Sequence, residues 1–321
     1  MIDSICNKLM SITNCEELHR LRNEGAFYLI PSGERPIYHY TAPDTFIKII
    51  GNKKMRFTRS DCLNDYSEGK YILSVFERVL NEMRCEYCKQ DLDKSNEYTD
   101  FFKFYDEVFL RNDISAFLYD ERLHDNEVIT YDSFVCCFSE EKDSLPMWNY
   151  YLKNGNYEGY NIGFHSPSMF DAKNIQWLKV IYTIKEQAKL IRCMIDSIYK
   201  IYSNFDPYIM RLIMTDWKLM FKNIAFSHEK EVRVVLKIPR NKHPDNVNKV
   251  EYMSRRGLIT PYIDYEFVPE SILDVTIGPM AYNMCAIHST IQFLEAKNIL
   301  KNRNGFYADE MVNVSTIPVR F

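Results

Sequence analysis

Residues 231–238 read Glu-Val-Arg-Val-Val-Leu-Lys-Ile, the strongest strand signal in the chain. Polar and apolar positions alternate, so Val232, Val234 and Leu236 form one face and Glu231 and Arg233 the other. A period of two suits a strand with one buried face. Extending the strand upstream through Ser227-His228-Glu229-Lys230 puts Glu229, Glu231 and Arg233 on one side. That row reads either as a solvated ladder or as acids turned to a cleft, with Glu231 in the cleft-facing position. Other strand-like runs lie on both sides of it: 37–41, 55–58, 133–138, 160–164, 179–183, 274–278 and 314–319. Helical spacing marks residues 3–25, the stretch opened by Pro43-Asp44, residues 144–152, and long stretches at about 70–127 and 185–223. Strands and helices mix without regular βαβ alternation. The expected class is therefore α+β: a mixed, mostly antiparallel sheet core with helical insertions. We expect a helical segment over 1–30 and a single α+β domain over 31–321, carrying inserts at about 70–127 and 185–223.

Composition narrows the functional classes. The chain has 321 residues, 46% of them hydrophobic and 26% charged, which excludes disorder for most of its length. A net charge of −4 gives no general electrostatic grip on nucleic acid. The basic residues Lys53, Lys54, Arg56 and Arg59 read as a solvated strand edge. With 10 glycines and neither G-x-G-x-x-G nor G-x-x-x-x-G-K-[ST], the sequence signals no Gly-rich phosphate cradle. No run approaches a membrane span, and the first residues show no secretory signal. The nine cysteines read as reduced thiols, so the expected location is cytoplasmic. Cys85 and Cys88 lack the two further ligands a structural zinc site needs.

Three other constellations can carry chemistry. His39-Tyr40-Thr41 lies on an early strand, where His39 is either an orienting group or a core imidazole. Asn64-Asp65 with Glu68 is a polar turn that either lines a cleft or simply caps a helix. Glu68-x-Lys70 also matches a fragment of metal-dependent nucleases, without a good upstream Asp. Cys137-Phe138-Ser139 leads to Asp143-Ser144 and a helix bearing Trp148, Tyr150 and Tyr151. Aromatics at this spacing are core or a ligand-stacking wall. Ser139 has no G-x-S-x-G around it, which argues against a hydrolase triad with His39 and Asp143.

Together these stretches resemble a bacterial family catalogued as a domain of unknown function. The matching motifs are His39-Tyr40-Thr41, Asn64-Asp65 with Glu68, Cys137 to Tyr151, Gly163-Phe164, Lys222 with Glu229-Glu231-Arg233, and Asp274 to Pro279. Tyr66 stands where that family usually has Pro. More distantly, the order of motifs resembles the ADP-ribosyltransferase fold in its His-Tyr-Glu branch. That resemblance implies NAD as substrate, no metal, and a protein or nucleic-acid acceptor, or water. It implies Glu231 stabilising an oxocarbenium-like ribose, Glu229 activating the acceptor, and His39 orienting a ribose or the carboxamide. Tyr151, Tyr150 or Trp148 would stack the nicotinamide, and Arg59 or Arg233 would meet the pyrophosphate. Tyr40, Thr41, Asn64, Asp65 and Ser139 complete the implied cofactor site. It also suggests a toxin or phage-defence setting. The competing expectations are a non-catalytic interaction or sensor domain, and a metal-dependent nuclease or hydrolase using Asp65, Glu68 and Glu231. The sequence sets no oligomeric state and implies no membrane partner.

Overall fold

A computed structural model describes residues 2–31, 35–63, 68–89, 102–103, 131–152, 157–171, 175–202, 207–239, 250–255, 257–281, 284–299 and 308–319. The chain divides into two compact units. One comprises Met1–Ile30, Asn64–Ile129 and Lys179–Phe226; the other comprises Pro31–Leu63, Thr130–Leu178 and Ser227–Phe321.

The first unit is helical. Its described helices span Ile2–Ser11, Cys15–Asn23, Glu68–Lys89, Ile184–Tyr202 and Pro207–Trp217. Apolar residues at helical spacing are buried along them, among them Ile5 and Leu9, Phe76 and Leu80, Leu190 and Met194, and Met210 and Trp217. The expected single helix over 3–25 is two. Asn14 accepts from the Glu17 N–H (2.9 Å), and Glu17 reaches back to the Thr13 N–H (3.3 Å), so a capped second helix starts there. The Gln187 side chain is fully buried and donates to the carbonyls of Ile181 (2.6 Å) and Lys222 (3.0 Å). These bonds hold a single parallel bridge, Ile181 to Phe221, where a strand over 179–183 was expected. Most of the stretch 90–130 lies outside the described residues.

Among the described residues the second unit holds ten strands: β1 (Ile37–Thr41), β2 (Lys54–Arg59), β3 (Tyr131–Ser139), β4 (Tyr160–Phe164), β5 (Ile175–Lys179), β6 (Glu231–Pro239), β7 (Glu251–Arg255), β8 (Leu258–Glu266), β9 (Ile272–Ile277) and β10 (Val312–Val314). The main path runs β10-β9-β4-β1-β3-β2-β8-β7; β6 pairs with β3, and β5 with β6. The sheet is open and mostly antiparallel, with β9–β10 parallel. One face buries Ile37, Phe57, Phe138, Ile162, Phe164, Val232, Val234, Val275 and Ile277 in the main core. The helix Pro43–Asn52 adds Phe46, Ile49 and Ile50 to it.

Two further differences from the sequence expectation concern a strand limit and elements without a signal. After β10, residues 315–319 leave the sheet. The β7–β8 hairpin and the helix Met284–Ala296 carried no clear signal. The hairpin turns at Gly257, whose φ of +78° is the left-handed conformation that glycine tolerates best.

Candidate functional site at the fork of the sheet

β3 is where the sheet forks. One edge of β3 pairs with β6 over its whole length, from Tyr131↔Pro239 to Ser139↔Glu231. The other edge takes two strands: β2 at Val135 and Phe134, and β1 at Ser139 only. Both β1 and β2 run antiparallel to β3, so both would compete for its residues 136–138. Neither gets them. β1 leaves with β4 and β9, β2 with β8 and β7, and a gap opens beside Cys137.

His39 spans that gap. Its Nδ1 lies 3.1 Å from the Cys137 carbonyl, which can only accept, so Nδ1 carries the proton and Nε2 is left as an acceptor. Burial pushes the imidazole pKa down, opposed by the carbonyl bond. His39 is therefore neutral at pH 7. Its ring also packs against Phe138, 5.6 Å between centroids.

Register fixes the other faces. Gly163, Tyr38, Ser139 and Glu231 are direct cross-strand neighbours in one row across β4, β1, β3 and β6. They share a face, and His39 alternates to the other. Glu231 thus lies two strand spacings from Tyr38, about 10 Å, at the same end of the sheet as His39 but across it.

The face bearing Tyr38 and Glu231 is polar, and most of its groups are used internally. Ser139 is fully buried; its hydroxyl donates to the Glu229 carbonyl (2.7 Å) and accepts from the Glu141 N–H (3.0 Å). The Tyr40 hydroxyl donates to the Glu141 carbonyl (2.8 Å) and accepts from the Ser144 N–H (3.1 Å). Trp148 is fully buried, packed edge-on against Tyr40, and its indole N–H donates to Asp143 (2.7 Å). Trp148 is therefore core, not a surface on which nicotinamide can stack. It comes from the helix Leu145–Tyr151, which starts at Ser144 with Pro146 in its first turn and buries Met147 and Trp148 against Tyr38 and Tyr40. Asp143 does not cap this helix. It also accepts from Ser315 Oγ (2.8 Å) and the Thr316 N–H (2.8 Å), pinning the segment after β10.

Glu231 and Arg233 face the same way two residues apart on β6. Arg233 Nε and Nη2 meet the two carboxylate oxygens at 3.0 and 2.9 Å, with the side chains 1% and 4% exposed. The polar face of β6 is thus buried too, so of the two readings of this row the solvated ladder is excluded. Arg233 is committed to Glu231. Glu229 is buried too but lies in a 3₁₀ turn (Ile224–Glu229), because Lys230 takes φ +41° and breaks the extended run. The expected three-residue row therefore begins at Glu231.

Three polar side chains on β4 and β9 complete this face. Asn161↔Thr276 and Gly163↔Asp274 are cross-strand pairs. Asn161 donates its amide N–H to the Lys142 carbonyl, and Lys142 pairs with Asp274 at 2.8 Å. Among the described residues, Asn161 Oδ1, Asp274 Oδ1 and Thr276 Oγ1 are buried without a hydrogen-bond partner. Gly163 leaves room for Asp274: a Cβ there would stand 2.7 Å from Oδ1. Sequence reasoning did not single out these residues as a site, although Asp274 and Thr276 occupy the polar positions of an alternating strand.

The remaining candidates lie apart. Arg59 pairs with Asp61 (2.7 Å) beside Phe134, five residues along β3 from Ser139, or about 17 Å. Arg56 pairs with Asp264 (2.8 Å) and Lys54 with Glu266 (3.7 Å). Thr41 is buried on the His39 side. Tyr151 packs half-buried against the Tyr38–Trp148 cluster, while Tyr150 is 66% exposed and stacks on His228, 5.2 Å between centroids. Lys222 belongs to the helical unit, its ammonium 5.0 Å over the Phe226 ring. Asn64 and Asp65 lie outside the described residues, as does the side chain of Glu68. Among the described residues no group of three or more His, Cys, Asp or Glu could hold a metal ion, and no helix is long and apolar enough to cross a membrane.

A model of a protein family of unknown function (DUF2971) matches residues 147–234. The match begins at Met147 and ends at Val234. It takes in Trp148, Tyr151, Gly163, Lys222, Glu229, Glu231 and Arg233, and leaves out His39, Asp143 and Asp274. No curated protein and no solved structure matches the chain.

Proposed function

We propose that the chain is an NAD-consuming, ADP-ribosyltransferase-like enzyme that works at the fork of the sheet. The observation that carries this reading is the pairing of a neutral His39, laid across the gap between β1 and β3, with Glu231 in the adjoining row. Opposite faces of an intact sheet cannot serve one ligand. Where the rungs are missing, a ligand lying across the gap meets groups from both sides. A dinucleotide is long enough to run from β1 over the two strand spacings, about 10 Å, that separate it from β6.

The chemistry assigned to each residue follows from its state. His39 Nε2 accepts a hydrogen bond from a ribose hydroxyl. Breaking the C1′–N bond sends its electron pair to nicotinamide, which leaves neutral, and develops positive charge on the ribose. The Glu231 carboxylate stabilises that charge. Arg233, bonded to both carboxylate oxygens, fixes the carboxylate in direction. Tyr150 presents the accessible ring beside His228, so it is the better of the two tyrosines for stacking nicotinamide. Water or a nucleophile on a macromolecule then adds at C1′ and releases a proton. Setting the protein in a toxin or phage-defence context belongs to this same reading.

A second reading is a non-catalytic interaction or sensor domain. It is favoured by the internal bonds that already occupy Ser139, Tyr40, Trp148 and Arg233. Nicotinamide release by the purified chain, with and without cell lysate, decides between the two. Under the enzyme reading wild type releases nicotinamide, and His39→Gln and folded Glu231→Gln lose at least a hundredfold. No release, with no thermal shift on adding NAD, refutes it and leaves the binding domain.

A further inference from the structure

We propose that the outer edge of β7 is a self-recognition surface, on which two copies of this chain pair their β7 strands antiparallel about Met253. β7 ends the path of the sheet, and among the described residues no strand covers its far side. An uncovered edge presents unpaired N–H and C=O groups, and proteins usually blunt it with charge. Here the charges favour one partner. β7 reads Glu251-Tyr252-Met253-Ser254-Arg255. A two-fold axis at Met253 sets Glu251 opposite Arg255 of the second copy, and Arg255 opposite its Glu251. Tyr252 falls opposite Ser254, and Met253 opposite itself. The strand is complementary to its own antiparallel copy.

The apolar surface agrees with this pairing. Tyr252, Leu258 and Ile259 on the hairpin are 66%, 65% and 79% exposed. The β7–β8 register places Ile259 beside Ser254. In the pair, the small Ser254 separates Ile259 from the incoming Tyr252 ring, which can lie over it. On the other face Glu251 already accepts from Tyr262 (2.7 Å), so its carboxylate is held in place for the incoming arginine. The interface is isologous and closes at two copies.

Sedimentation and light scattering of the full chain across a concentration series test this. We expect a monomer–dimer equilibrium. Each single reversal, Glu251→Arg or Arg255→Glu, turns both symmetry-related pairs into like-charge pairs and raises the dimer Kd at least tenfold. The double reversal restores opposite charges and recovers the Kd to within about threefold of wild type. Met253→Lys, which sets two ammonium groups face to face on the axis, gives monomer. These positions are exposed or half-buried, and circular dichroism checks that each variant is folded. A monomer at all concentrations, a dimer indifferent to Met253→Lys, or a double reversal no better than the singles overturns the proposal.

Discussion

The Glu231–Arg233 pair should show a large coupling energy in a double-mutant cycle. Two opposite charges about 4 Å apart attract by about 4 kcal/mol at the effective dielectric suited to protein sites. The pair is bidentate, with contacts of 2.9 and 3.0 Å, and almost no surface of either side chain reaches solvent. Removing one partner strands the other charge, which costs about 3–5 kcal/mol. We therefore expect Glu231→Gln and Arg233→Gln each to destabilise the protein by about 3 kcal/mol. The double variant should lose little more than either single, since two neutral amides can bond each other. The expected coupling is then about 2–3 kcal/mol, read from urea midpoints with m-values monitored for loss of two-state behaviour. Additivity within about 0.5 kcal/mol would refute the argument, because it would mean that neither charge depends on the other. The cycle also guards the functional test. A Glu231→Gln protein that is inactive because it is unfolded says nothing about NAD, so activity must be measured below its unfolding transition.

Two further outcomes concern groups on the strands around the fork. His39 is held neutral by burial, so between its lowered folded pKa and the ordinary 6.5 the unfolded chain binds the proton more readily. Stability should accordingly fall as pH drops below 6.5, and His39→Gln should flatten that slope in urea midpoints taken from pH 5 to 8. Asp143→Ala removes the acceptor of the buried Trp148 indole and of Ser315 and Thr316. It should cost about 2–4 kcal/mol and expose the segment after residue 314 to protease, whereas unchanged proteolysis there would show that Asp143 does not pin it.

How much of this was legible depends on the range of the interaction that decides each feature. β6 was readable because its alternation is local: Val232, Val234 and Leu236 sit in the core as their spacing requires. The burial of Glu231 and Arg233 was not, because alternation says that two faces differ, not that one is wet. Glu229 was misplaced onto the strand by a single residue. Lys230 adopts a left-handed backbone that lysine seldom visits, so nothing local warned of the break. The cap at Asn14 was written in the sequence as Thr13-Asn14 with Glu17, and the run of leucines and isoleucines outweighed it. The β7–β8 hairpin was obscured by Pro261, a residue that argues against a strand interior but here pairs with Tyr252 of β7 one residue past the last β2 partner of β8, Tyr262.

The fork itself has no signature within any one segment. It arises because β1 and β2, joined by the helix Pro43–Asn52, both approach the same edge of β3 and each holds only its own end. The gap then leaves the Cys137 carbonyl to be met by a side chain instead of a neighbouring strand, and His39 supplies the donor. That single bond fixes the tautomer, and burial fixes the charge. The strand mismatch thus yields a fixed acceptor nitrogen beside a break in the sheet, in the row next to a buried carboxylate. A purely structural rung would be served equally well by the N–H of an asparagine at position 39. If His39→Asn keeps both stability and nicotinamide release, the imidazole is only a strut; if it keeps stability alone, Nε2 is the group that meets the substrate.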